Sequence, residues 1–136
     1  MSGPRSPQTF RPTAIVAAHS ADTRAQLGAA LAAAGVQIIA ETNDSAETRA
    51  LYASLKPDLL FVDVVLNGSD GVETVQHVLG RFPEARVVVS SAFVVLEHVL
   101  TCHRIGVAQF LLRPVESARV AKMVRDLLER DGQVAA

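Results

Sequence analysis

The chain has 136 residues and a formal net charge of −1, with 49% hydrophobic and 20% charged side chains. That is ordinary globular composition at a length suited to one domain. Scattered cations, the lack of any apolar run near the ~20 residues of a membrane span, and the single Cys102 argue against a nucleic-acid partner, a membrane partner and an internal disulfide, and suit a cytoplasmic setting.

Residues 1–12, "MSGPRSPQTFRP", carry Pro4, Pro7 and Pro12 and lack the apolar segment of a secretory signal, so a disordered leader is expected there. The domain is placed at residues 13–130, with 131–136 as a flexible tail. Five apolar runs follow the leader: "AIVAA" (14–18), "VQIIA" (36–40), "LLFV" (59–62), "RVVV" (86–89) and "AQFLL" (108–112). Most are continuous rather than alternating, the pattern of strands covered on both faces.

Each run precedes a helix-period segment. Leu27, Ala30, Leu31 and Ala34 mark the first, which Gly35 stops. Asp44, with Glu47 three residues on, opens the second like a capping box, and Pro57 closes it. Val72, Val75, Leu79 and Phe82 mark the third, with Asp70 as N-cap and Glu73 behind it. A fourth helix is expected from about Phe93 to Ile105, ending at Gly106, and Val120, Met123, Val124, Leu127 and Leu128 mark the fifth. Five β-α units with short connections predict an α/β fold with a parallel sheet and helices on both faces. Neither GxGxxG nor GxxxxGK[ST] occurs, so no dinucleotide or Walker-type phosphate site is signalled.

In such a sheet, ligands bind beyond the carboxyl ends of the strands. The residues there are His19 after the first run, Asp63 after the third, Ser90 and Ser91 after the fourth, and Arg113 after the fifth. Asp63 interrupts an apolar stretch, and a carboxylate buried there needs partners to offset its desolvation.

"LLFVDVVLNGSDG", "VVVSSA" and "FLLRPV" together resemble the receiver domain of bacterial response regulators, over about residues 13–129. The resemblance implies a flavodoxin-like, doubly wound, five-stranded parallel sheet of order 2-1-3-4-5 with five helices. It implies that Asp63 is the phosphoacceptor for a histidine kinase or phosphotransfer protein. It places Ser91 and Ala92 at the phosphoryl-binding hydroxyl and the small residue after it, Phe110 at the switch aromatic, and Arg113-Pro114 where the family has Lys-Pro, often with a cis bond. The two metal-holding acids of the family align with Ala18 and His19, neither of which is a carboxylate. Asp63 is then the only side-chain acid for Mg²⁺, helped by the Val65 carbonyl, so weak metal binding and impaired Mg²⁺-dependent phosphorylation are expected. A phosphorylation-independent pseudo-receiver is the alternative.

Other polar residues read more plainly. Asp22 is expected as a solvated acid of the first helix turn, Ser90 as a strand residue, and His19 either as a partner of Asp63 or as a loop histidine. His98 and His103, five apart, do not share a helical face, and Cys102 is expected in packing. No nucleophilic triad is visible, so the expected output is protein binding rather than catalysis, with no room for a separate output domain. The fourth helix opens with "FVVLEHVL". With Val95, Leu96 and Val99 turned inward, Phe93, Val94 and part of Leu100 would face a partner or a second copy beside the fifth strand and helix.

Overall fold

The computed structural model describes residues 11–135, with side chains described for 11–129. Five strands, β1 (Thr13–Ala17), β2 (Gln37–Thr42), β3 (Leu59–Asp63), β4 (Val87–Ser91) and β5 (Gln109–Leu112), alternate with five helices. These are α1 (Ala21–Ala33), α2 (Ser45–Leu55), α3 (Gly71–Arg81), α4 (Leu96–Ile105) and α5 (Ser117–Ala135). The strands form one parallel sheet in the order β2-β1-β3-β4-β5, the doubly wound arrangement expected from sequence.

The apolar runs explain why the central strands lie inside. Leu59 to Val62 and Val87 to Val89 are fully buried, and each such side chain contributes about 1.5–3 kcal/mol. Alternate residues feed two layers. Val16, Leu59, Phe61, Val88 and Leu111 pack with Leu27 and Leu31 of α1 and Val120 and Val124 of α5. Ile15, Leu60, Val62, Val87 and Val89 pack with Tyr52 of α2, Val75 of α3 and Cys102 of α4.

Local chemistry sets the helix ends. The backbone N–H groups of Thr23, Glu47 and Glu73 donate to the side chains of Ser20, Asp44 and Asp70, at 3.3, 2.9 and 2.8 Å, so α1, α2 and α3 each start on a side-chain cap. Gly106 ends α4 at φ 95°, a left-handed conformation that glycine adopts without steric cost.

Two boundaries depart from expectation. The fourth helix begins at Leu96 rather than near Phe93, on Val95, which offers no capping oxygen. The Ser91 hydroxyl instead donates to the Phe93 carbonyl at 2.7 Å and accepts from the Phe93 N–H at 3.2 Å, which holds the preceding segment in a turn. At the other end, α5 runs to Ala135 through residues expected to be a tail. The expected leader lies outside the described residues except for Arg11 and Pro12. Among the described residues, no helix is long and apolar enough to cross a membrane.

Candidate functional site

Sheet register decides which strand-end groups meet. Asp63 lies opposite Ser90 on β4, and Ser90 lies opposite Leu111 on β5, two residues before Arg113. Facing residues of neighbouring parallel strands project to the same side, so Asp63, Ser90 and Arg113 share the side of the sheet that carries α1 and α5. The Ser90 hydroxyl donates to Asp63 Oδ1 at 2.7 Å, and Arg113 Nε donates to the same oxygen at 3.0 Å. The other oxygen, Oδ2, accepts the Val65 N–H at 3.2 Å. The two charged side chains are only 3% and 18% exposed for Asp63 and Arg113, so the pair is held away from water. A buried pair of this kind is strongly interdependent, because removing one partner strands the other's charge.

Ser90, expected only as a strand residue, is therefore a direct partner of the carboxylate. Its parity with Asp63 emerges only once the strands are in register. Ser91 has the opposite parity, and its hydroxyl is engaged with Phe93. Ala92 is exposed immediately beyond it. Phe110 lies opposite Val89 and is half-buried on the side of α2, α3 and α4. The Arg113-Pro114 bond is cis, and the Arg113 N–H donates to the Ser91 carbonyl at 2.8 Å, tying the end of β5 to the end of β4.

The corner after β1 is built differently. Ala18 is buried and His19 is exposed. His19 Nδ1 is 2.8 Å from Asn67 Oδ1, which makes it a loop histidine rather than the partner of Asp63. Its backbone N–H donates to the Val65 carbonyl at 2.9 Å. Arg24 Nη1 reaches back from α1 to the carbonyls of Ala18 and His19, at 2.8 and 3.1 Å. Asp22 is exposed in the first turn of α1.

A family model described as the response regulator receiver domain matches residues 14–125. The chain belongs to that family. This receiver is 27% identical over 90 residues to the transcriptional regulatory protein LiaR of Bacillus subtilis, a match covering 66% of the chain and 43% of LiaR. It is 25% identical over 89 residues to the chemotaxis protein CheY of Thermotoga maritima, covering 65% of the chain and 74% of that protein. The solved signal receiver domain of NarL from Mycobacterium tuberculosis superposes with a TM-score of 0.78 at 25% identity, covering 85% of the chain and 94% of that domain. The receiver thus spans less than half of LiaR.

The Mg²⁺ that the family implies does not fit the donor set of this receiver. Mg²⁺ takes oxygen ligands in a near-octahedral shell and gives up its water reluctantly. Asp63 is the only side-chain acid among the five strand-end positions, and both its oxygens already accept hydrogen bonds. Among the described residues, no group of three or more His, Cys, Asp or Glu stands together as metal donors.

Proposed function

We propose that this receiver works in the cytoplasm as a phosphorelay component, with Asp63 as the phosphoacceptor and with Mg²⁺-dependent chemistry impaired. The supporting observation is the placement of Asp63 at the carboxyl end of the central strand, buried and paired with Arg113 at 3.0 Å. A histidine kinase or phosphotransfer protein is the proposed donor. Oδ2 is the proposed nucleophile, because it accepts one hydrogen bond where Oδ1 accepts two. Ser91 and Phe110, both on the side of α4, are proposed to couple the acceptor to the output surface.

That surface is apolar. Phe93, Val94, Leu96 and Leu100 before and along α4, with Leu112 at the end of β5, are all exposed, and clusters of this kind mark protein contacts. The proposed output is binding of a protein partner or a second copy through this face and the neighbouring α5.

Intact mass after incubation with a small phosphodonor and Mg²⁺ tests the acceptor. A slow, partial gain of one phosphoryl group is expected, absent in Asp63→Asn. The alternative, a phosphorylation-independent pseudo-receiver, draws support from the three internal donors that the carboxylate already accepts. It predicts no gain in mass from a fully folded chain.

A further inference from the structure

We infer that this receiver carries its own counter-ions: Arg113 on the Asp63 carboxylate and Arg24 on the turn after β1 stand in for a divalent cation, and the resting site excludes Mg²⁺. The inference deepens the proposed function by naming how the same site is neutralised, and it rests on that reading for the meaning of Asp63 as acceptor. Three observations carry it.

The first is the geometry of the carboxylate. Arg113 Nε and the Ser90 hydroxyl converge on Oδ1 at 3.0 and 2.7 Å, and the Val65 N–H holds Oδ2 at 3.2 Å. Only Oδ2 keeps a lone pair for a metal ion, which would come to rest on a carboxylate whose other oxygen already holds a guanidinium. Like charges at such distances repel, and more strongly where water is scarce.

The second observation is at the corner where a receiver with both acids would present negative charge. Here Arg24 Nη1 sits 2.8 Å from the Ala18 carbonyl and 3.1 Å from that of His19. The backbone oxygens that remain at that corner are therefore occupied by a second positive group. Glu41 lies 3.7 Å from Arg24 Nε and is its charge partner.

The third observation is chemical. Arginine stays protonated under all ordinary conditions and is less strongly hydrated than an ammonium group, which suits a permanent, largely buried counter-ion. The pair is also anchored, since the Arg113 backbone is bonded to Ser91 at 2.8 Å. Neutralisation of Asp63 is thus built into the chain rather than supplied by solution.

Two measurements on the full chain test this. In the first, MgCl₂ is titrated into isotope-labelled protein while the amide resonances of Val64, Val65 and Ser90 are followed, beside a receiver that has its full acid pair. No saturable shift is expected across the range that saturates the control, and a saturable shift at these amides would overturn the inference. In the second, thermal midpoints are taken for Arg113→Gln, Asp63→Asn and the double variant. Arg113→Gln alone should lower the midpoint by on the order of 10 °C, because it strands a buried carboxylate. Adding Asp63→Asn should recover most of that loss, whereas additive losses would overturn the inference. If Arg113→Gln alone does not fold, a folded double variant supports the pair and an unfolded one refutes it. Neither readout needs phosphoryl transfer. A chain that never gains a phosphoryl group fails the proposed function while the cycle still reports on the pair, and a phosphorylated chain with an additive cycle fails this inference alone.

Discussion

Gly71→Ala is expected to destabilise the protein by about 3 kcal/mol or more, the upper end of what overpacking costs. Gly71 is the first residue of α3, and its N–H donates to the Val64 carbonyl at 2.8 Å, so the helix start is pressed against the chain leaving Asp63. A Cβ added there would lie 2.8 Å from both the Asp63 carbonyl carbon and Val64 Cα, and nearer still to the Asp63 carbonyl oxygen. All three neighbours are backbone, so no side chain can rotate away. Relief requires moving α3, whose Val75 is fully buried and whose first turn is capped by Asp70, or moving β3 itself. Gly28→Ala supplies the contrast. Gly28 lies within α1 with nothing within 4 Å of an added Cβ, so alanine there should gain up to about 1 kcal/mol from helix propensity. Urea denaturation of the two variants beside the parent reads both signs, and a Gly71→Ala protein as stable as the parent would contradict the close approach.

The second large effect is on association. Phe93 is 76% exposed and Val94 65%, so neither contributes much to the core, and aspartate at either position should leave the thermal midpoint nearly unchanged. If this face is the output surface with Phe93 as its central anchor, Phe93→Asp should weaken self-association or partner binding by more than about tenfold, since the few hot-spot side chains at the centre of an interface carry about 2 kcal/mol or more. Sedimentation over a range of concentrations measures the self-association, and pull-down of a candidate partner beside the parent measures the binding. Unchanged association with unchanged stability would remove this surface from the mechanism.

Much of the framework was legible because it depends on chemistry local in sequence. Continuous apolar runs such as "LLFV" become fully buried strands, and Asp44 and Asp70 cap helices because a short oxygen-bearing side chain reaches an N–H three residues on. What needed the fold was relative position. Ser90 and Ser91 are adjacent and chemically alike, yet only Ser90 bonds Asp63, and strand register alone separates them. Arg113 and His19 both stand at strand ends as cations that could serve Asp63; the sheet brings Arg113 to the carboxylate and sends His19 to Asn67.

The region from Phe93 to Leu100 was the least legible. A helix from about Phe93 would have turned Val95, Leu96 and Val99 inward. With the start moved to Leu96, both Val95 and Leu96 are exposed, Leu96 by 68%, and Val99 is only half-buried. The pattern of apolar residues could not signal this, because Val94 and Val95, β-branched and without a capping oxygen, leave the start of the helix undefined.

One small side chain has a larger consequence. Cys102 is the only residue of α4 that is fully buried, and it is the only thiol in the chain. Burial raises its pKa above the usual thiol value, so while α4 is docked the sulfur is protonated, covered and inert toward alkylating reagents. A helix with a single fully buried side chain is expected to separate from the sheet at a smaller free energy than global unfolding. Each such separation uncovers the sulfur. Where reclosing is faster than alkylation, the alkylation rate of the native protein divided by that of the unfolded chain should therefore report the fraction of time α4 stands open, a built-in label needing no engineered probe. A binder that clamps the helix down should slow that clock, and a native rate equal to that set by global unfolding would show that α4 never leaves on its own.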